Sequence, residues 1–294
     1  MRMYAECVPC ILSVRYREIE KLFHDEEKRM EILGKVLEML HRLVYVENLR
    51  VSPIVATHIF RFLKKVSNNE DPYREEKRVA NRVALEIYQE LRNTVLSRDP
   101  IEALPLSLAI SALGNALDLG VAGYEPPDPR SLIEKGFEVA RDPSFVEAAR
   151  VLARCRRVVV VMDNAGEAVL DRLVADVLRK LGIETFAVVK SGAFQNDATV
   201  WEVKEMGLEE SFDHVLGSGT DAASIFLEEI SEEVRRLVTV ESDAVVLKGM
   251  ANYEYVTEIQ NVVRGRKIYV LMAKCRPIAK NLGVDRGRVV AYLA

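Results

Sequence analysis

Carboxylate, amide and ammonium side chains recur in this chain at the ends of short runs rich in β-branched residues. Val158-Val159-Val160-Val161-Met162 runs into Asp163-Asn164-Ala165-Gly166-Glu167, and Phe186-Ala187-Val188-Val189-Lys190 is followed by Asn196-Asp197. Ala244-Val245-Val246-Leu247 leads to Lys248-Gly249 and Asn252, and Tyr269-Val270-Leu271-Met272-Ala273 leads to Lys274. Asp and Asn supply hard oxygen donors suited to Mg²⁺ or Mn²⁺. A lysine at the buried end of an apolar strand calls for an anion, and the helix N-terminus after Asn252 adds amide donors for phosphate. The pattern suggests a hard metal ion beside a phosphate.

Each motif also has a plainer use. Asp163, Asn196 and Asp197 are natural helix caps, and Glu167 is well placed for the first turn of a helix. Lys248 and Lys274 could snorkel from strand ends. Gly217-Ser218-Gly219-Thr220 has the composition of a phosphate-cradling turn, with Ser218 as a candidate contact, but such turns are common. Asn115 and Asp118 stand three apart on one helical face inside the apolar run Leu106 to Leu119; buried there they need partners, and they are either substrate-binding candidates lining a cleft against the sheet or a structural hydrogen-bonded pair. Cys7 and Cys10 form a CxxC, which suits a redox pair, half of a second metal site or simple packing. No second CxxC and no histidine pair at zinc-finger spacing accompanies it.

The elements that must position these residues change character along the chain. From Tyr4 to about Val121 the apolar spacing is helical, as in Met30 to Tyr45 and Val79 to Leu96. Pro126-Pro127-Asp128-Pro129 is the strongest break. Beyond it strands alternate with helical patterns. The candidate strands are 157–162, 184–190, 213–217, 243–248, 267–273 and 288–293. Helical patterns run from Ala168 to Leu181, Thr199 to Met206, Ala223 to Leu237 and Tyr253 to Val263. Such alternation predicts an α/β fold with a mainly parallel sheet covered on both faces. The expected division is a helical domain over residues 1–125, able to include helices of the core, and a three-layer α/β/α Rossmann-like domain over residues 126–294.

Composition narrows the function classes. The 294 residues are 49% hydrophobic and 29% charged, which is the balance of a globular protein. A net charge of −4 gives no support to a nucleic-acid partner. The chain has no apolar run long enough for a membrane span and no signal-peptide pattern at its start, so a cytoplasmic protein is expected. Gln is scarce (Gln89, Gln195, Gln260) while Glu, Lys and Arg abound, a thermophile leaning.

Taken together and in order, these motifs, with Asp71-Pro72-Tyr73, Lys77, Asn81 and Gly114-Asn115-x-x-Asp118, resemble the metal-dependent damage-control phosphatases over nearly the whole chain, from Cys7 to Gly287. Cys7 and Cys10 resemble the prokaryotic branch. The resemblance implies a helical domain on an α/β/α sandwich, with a divalent metal (Mn²⁺, Ni²⁺, Co²⁺ or Mg²⁺) held by Asp163, Asn164 and Asp197. It implies phosphate contacts from Lys248, Asn252 and Lys274, with Asn115 as a further candidate. Many members have a proline before the Asn-Asp pair, where this chain has Ala193-Phe194-Gln195, so substrate identity does not carry over.

The resulting expectation is a metal-dependent hydrolase of phosphate monoesters of small metabolites, such as sugar phosphates or damaged and cofactor-related phosphometabolites. Asp163, Glu167 and Lys248 are its catalytic candidates, and the chain is expected to be a monomer or small homo-oligomer. The nucleophile is either metal-activated water or Asp163. A haloacid-dehalogenase Asp-x-Asp is absent, since Ala165 stands two residues after Asp163, and so is a Walker A loop. The rivals are a Rossmann-like methyltransferase, for which Asp-Asn-Ala-Gly-Glu is a poor glycine-rich loop, and a non-catalytic metal- or ligand-binding or redox protein.

Overall fold

Six Val-rich runs become strands, their ends within about one residue of the sequence expectation: β1 (Arg157–Val161), β2 (Glu184–Val189), β3 (His214–Gly217), β4 (Ala244–Lys248), β5 (Arg266–Met272) and β6 (Val289–Leu293). In the computed structural model, which describes residues 1–114 and 129–294, they form one sheet in the order β3-β2-β1-β4-β5-β6. Every neighbouring pair is parallel except β5 and β6. Asn115 and Asp118 lie outside the described residues.

Both faces of the sheet are covered, which is why the strands read as continuous apolar runs. Val158, Val160, Ala187, Val246 and Val270 pack into one apolar cluster, and Val159, Val161, Val188, Leu247 and Leu271 into another on the opposite face. The helical half of the chain divides by what it packs on. Helices α1 (Cys7–Leu22), α2 (Glu26–His41) and α3 (Ser52–Ser67) share their own core around Ile19, Ile32, Val36, Ile59 and Leu63. Helices α4 (Arg74–Leu96), α5 (Pro100–Gly114), α6 (Pro129–Val139), α7 (Pro143–Leu152) and α8 (Glu167–Lys180) pack on or around the first sheet face. From Leu106 to Gly114 every residue of α5 is buried, so this helix is apolar all round rather than amphipathic.

The remaining helices are short: α9 (Val203–Met206), α10 (Leu208–Ser211), α11 (Glu232–Arg236), α12 (Gly249–Val256) and α13 (Arg276–Leu282). Three of them depart from the sequence expectation. The pattern from Ala223 to Leu237 is not one helix, because local donors are taken by side chains from elsewhere. Ala223 N donates to Thr57 Oγ1 at 3.0 Å and Leu227 N to Tyr255 Oη at 3.0 Å, and the helix starts only where Ser231 caps Val234 N. The pattern from Thr199 is delayed to Val203, because Glu202 Oε2 binds Thr199 through both its amide and its hydroxyl. The third, from Tyr253, stops at Val256.

Strand β1 is followed in the sheet by β2 on one side and β4 on the other, so the chain reverses its direction of travel across the sheet between β1 and β4. A crevice at the carboxyl ends of two such strands is the usual ligand site of an open α/β sheet. Among the described residues no helix is long and apolar enough to cross a membrane.

Candidate functional site

The loops leaving β1 and β2 are joined by main-chain hydrogen bonds. Ala198 N donates to Asp163 O at 2.8 Å and Ala165 N to Asn196 O at 2.8 Å, while Lys190 N donates to Ala198 O at 3.0 Å. Asn164 and Asp197 therefore face one another as an isolated antiparallel pair. Gly166 turns the chain into α8 with a φ of +77°, and its N–H donates to Asn81 Oδ1 at 2.8 Å. The residues expected from sequence to share a metal, Asp163, Asn164 and Asp197, are thus brought to one place at the switch point.

Their electrostatics are strained in one direction. Burial pushes the Asp163 carboxyl well up, the nearby Glu167 and Asp197 charges add to this, and Lys274 and Lys190 oppose it. Asp197 is raised by burial and by Glu167, against the pull of Lys190, whose Nζ lies 3.2 Å from Asp197 Oδ2. Crowded buried carboxylates of this kind suit a multivalent cation. The Asn164 amide donates to Asp163 Oδ2 at 2.9 Å and Glu167 Oε2 at 3.1 Å. A half-turn of that amide would present its oxygen instead. Among the described residues no three His, Cys, Asp or Glu side chains converge as a ready metal site. The candidate set has two carboxylates and one amide, and its hard oxygen donors fit a hard or borderline divalent ion.

The anion that Lys248 needs is supplied by the protein. Its Nζ lies 2.8 Å from Glu167 Oε1 and 2.9 Å from Asp171 Oδ1, and it donates to Ser111 Oγ at 2.6 Å and Ser111 O at 3.0 Å. Burial alone would lower its pKa, but Asp171 and Glu167 hold it above the ordinary value. Asp171 is pushed up to about 6 by burial, against Lys248. Asn252 also has protein partners where a phosphate was expected: its amide donates to Lys248 O at 2.7 Å, and its oxygen accepts from Ser224 Oγ at 2.7 Å. Ser218 is buried and its hydroxyl donates to Thr220 O at 2.9 Å, within its own loop. Lys274, by contrast, is exposed, with its charge acting on Asp163.

Several neighbours went unassigned in the sequence. Asp171 lies one turn after Glu167 on the same face of α8, a spacing that was there to be read. Lys190 stands at the end of β2, but nothing in sequence pairs it with Asp197. Lys77 Nζ sits 2.8 Å from both Asp71 Oδ2 and Glu202 Oε1, all three buried, and so ties α4 to the loop that carries Asp197. Ser111, deep in the apolar α5, gave no signal.

Gly249, at the start of α12, has a φ of +76°, and a Cβ there would overlap the Asp163 carboxylate oxygens. Gly249→Ala is therefore expected to displace that carboxylate and, with the strain of a side chain at positive φ, to destabilise the fold by about 1–3 kcal/mol in urea unfolding. A urea midpoint equal to the parent's would show that this close approach does not hold the carboxylate in place.

A cavity of about 410 Å³ lies beside these loops, between α1, α3, α12 and α13. Its lining includes Cys7 and Cys10 from the first turn of α1, and Cys275. All are free thiols, with Cys7 buried and Cys10 exposed. Burial raises the Cys7 and Cys275 thiols above their ordinary values. Glu254 lines the same cavity, and burial pushes its carboxyl up to about 7. A raised carboxyl destabilises the fold increasingly as pH climbs from its unfolded value, near 4.5, through 7. Glu254→Gln is accordingly expected to raise the urea midpoint at pH 8 and leave it nearly unchanged at pH 4. An equal effect at both values would refute the shift.

Known proteins share both the sequence pattern and the fold. A family model described as the damage-control phosphatase ARMT1-like domain matches residues 3–290. An uncharacterised protein of Methanocaldococcus jannaschii is 32% identical, the alignment covering 98% of this chain and 94% of that one. Proteins named damage-control phosphatase from Archaeoglobus fulgidus and Pyrococcus horikoshii are 28% and 26% identical, each alignment covering 99% of this chain and 99% and 97% of theirs. The crystal structure of a Pyrococcus horikoshii protein described as DUF89 family superposes with a TM-score of 0.85 at 24% identity, covering 99% of this chain and 98% of that one.

Proposed function

The chain belongs to the damage-control phosphatase ARMT1-like family, and from that premise we propose that it is a metal-dependent phosphatase acting on phosphate monoesters of small metabolites. Relatives named damage-control phosphatase support the phosphatase role in general. The observation that carries the finer reading is the pair of buried acids, Asp163 and Asp197, crowded together at the switch point of the sheet.

Asp163, Asn164 and Asp197 would hold the ion, with Mn²⁺, Ni²⁺, Co²⁺ and Mg²⁺ as the candidates. When bound there, a divalent ion supplies Lewis acidity and a template for phosphoryl oxygens. Lys274 reaches the same space from solvent and is suited to neutralise the equatorial oxygens of the transferring group. The first amides of α12, beside Asp163, add donors of the same polarity. Glu167 accepts from the Asn164 amide and is fixed in turn by Lys248, so Lys248 acts in this reading as a positioning residue rather than a phosphate ligand. The attacking oxygen belongs either to water or to Asp163; a rapid-quench trap of phosphorylated Asp163 separates the two.

The test is hydrolysis of p-nitrophenyl phosphate by chelator-stripped protein, with and without each ion. Turnover that is absent after stripping and returns with at least one of them is the expected result. Equal turnover with and without the ions would defeat the metal dependence, and no turnover under any condition would defeat the phosphatase reading.

A further inference from the structure

The cavity beside the site is not used by the chemistry described so far, and it is built from the same loops. Phe194 and Gln195 in its wall immediately precede the Asn196-Asp197 pair, and Met250 and Ala251 follow Gly249, which lies against the Asp163 carboxylate. Lys274 belongs both to this wall and to the group of charges acting on Asp163. The cavity therefore opens onto the place where a phosphoryl group would sit.

Its lining is of two kinds. Ile11, Val14, Pro53, Phe194, Met250 and Ile278 make much of the wall apolar. Arg276 and Arg286, both exposed, border it from the start of α13 and from the turn before β6. Among the described residues neither arginine is within ion-pair distance of a carboxylate, whereas Arg15, in the same wall, is neutralised by Glu18 at 2.9 Å. Glu6 and Glu254 also line the cavity, but among the described residues neither is within ion-pair distance of these arginines, so the two guanidinium groups beside a largely apolar wall form a receptor for an anion carried on an apolar stem.

Resting on the phosphatase reading, we infer that this cavity receives the alcohol portion of the phosphate ester, and that this alcohol has an apolar stretch ending in a second anionic group. Lys274 serves the phosphate being removed, and Arg276 and Arg286 serve the distal anion.

The experiment compares three esters of matched chain length: hexyl phosphate, ω-carboxypentyl phosphate and the α,ω-hexanediol bisphosphate. Metal-loaded protein is expected to hydrolyse one or both of the doubly anionic esters with kcat/KM roughly tenfold or more above hexyl phosphate, mainly through KM. Which of the two is preferred distinguishes a carboxylate from a second phosphate. The Arg276→Ala/Arg286→Ala variant, altered only at exposed positions, is expected to abolish the preference and leave p-nitrophenyl phosphate turnover unchanged. Hydrolysis of all three esters at equal efficiency would overturn the inference and leave the phosphatase reading standing. No hydrolysis of any ester, p-nitrophenyl phosphate included, would instead remove that reading. Calorimetric titration of hexyl phosphate and ω-carboxypentyl phosphate would then decide the cavity alone, equal affinities overturning it.

Discussion

Asp163→Asn is expected to lower the proposed metal-dependent phosphatase turnover by ~10³-fold or more while leaving the protein folded. The substitution is nearly isosteric and deletes one charge from a buried group that includes Glu167 and Asp197. Because the folded-state pKa of Asp163 is raised, its ionised form opposes folding once the pH exceeds the unfolded value, near 3.9. The Asn variant therefore unfolds at an equal or higher temperature than the parent at neutral pH, in the absence of metal. A second signature follows from linkage. An ion that binds only the folded protein raises the parent's melting temperature, and this increment shrinks sharply in the variant. Turnover within about tenfold of the parent would place the chemistry elsewhere, and loss of turnover together with loss of folding would leave only a structural role.

Lys248→Met produces the largest loss of stability, about 3–5 kcal/mol, because it strands two buried carboxylates. Glu167, Asp171 and Lys248 are each about 1% exposed, so solvent cannot take over the neutralising role of the ammonium. Adding Asp171→Asn to that variant is expected to recover a substantial part of the loss, since it removes one of the uncompensated charges and keeps a hydrogen-bonding partner for Ser111. Urea unfolding of the parent, the single variant and the double variant tests this directly. A single variant within about 1 kcal/mol of the parent would mean that the cluster rearranges or protonates without consequence. Turnover falls as well, because Glu167 loses the group that fixes it beside Asn164.

The legible and illegible parts of this molecule divide along physical lines. The strands could be read because a strand buried on both faces must be apolar throughout, and Val158 to Val161 or Ala244 to Leu247 satisfy little else. Strand ends could be read because Asp163, Lys190 and Lys248 interrupt those runs abruptly. Sheet order could not, since it depends on which crossovers pass to which side. That order makes Asp163 and Gly249 neighbours. The helix expected from Ala223 failed because its hydrogen-bond donors are claimed by Thr57 and Tyr255, residues distant in sequence. The need of Lys248 for an anion was visible, but the identity of that anion was not. Asp171 lay at the right helical spacing from Glu167, while Ser111 sits in a helix whose composition announces only burial. The CxxC pattern allowed redox, metal and packing readings alike, and nothing local chose among them.

The way the site loops are fastened has a consequence for how such a protein can change over generations. Asp163 and Asp197 are carried by main-chain bonds between Asp163, Ala165, Asn196 and Ala198, and those bonds do not involve the side chains of Phe194, Gln195, Met250 or Ala251. The latter four face the adjoining cavity. Mutations there can remodel what is recognised while the reacting groups keep their places. One inherited framework can thus serve many substrates, with selection acting on the cavity wall and leaving the acids behind it alone.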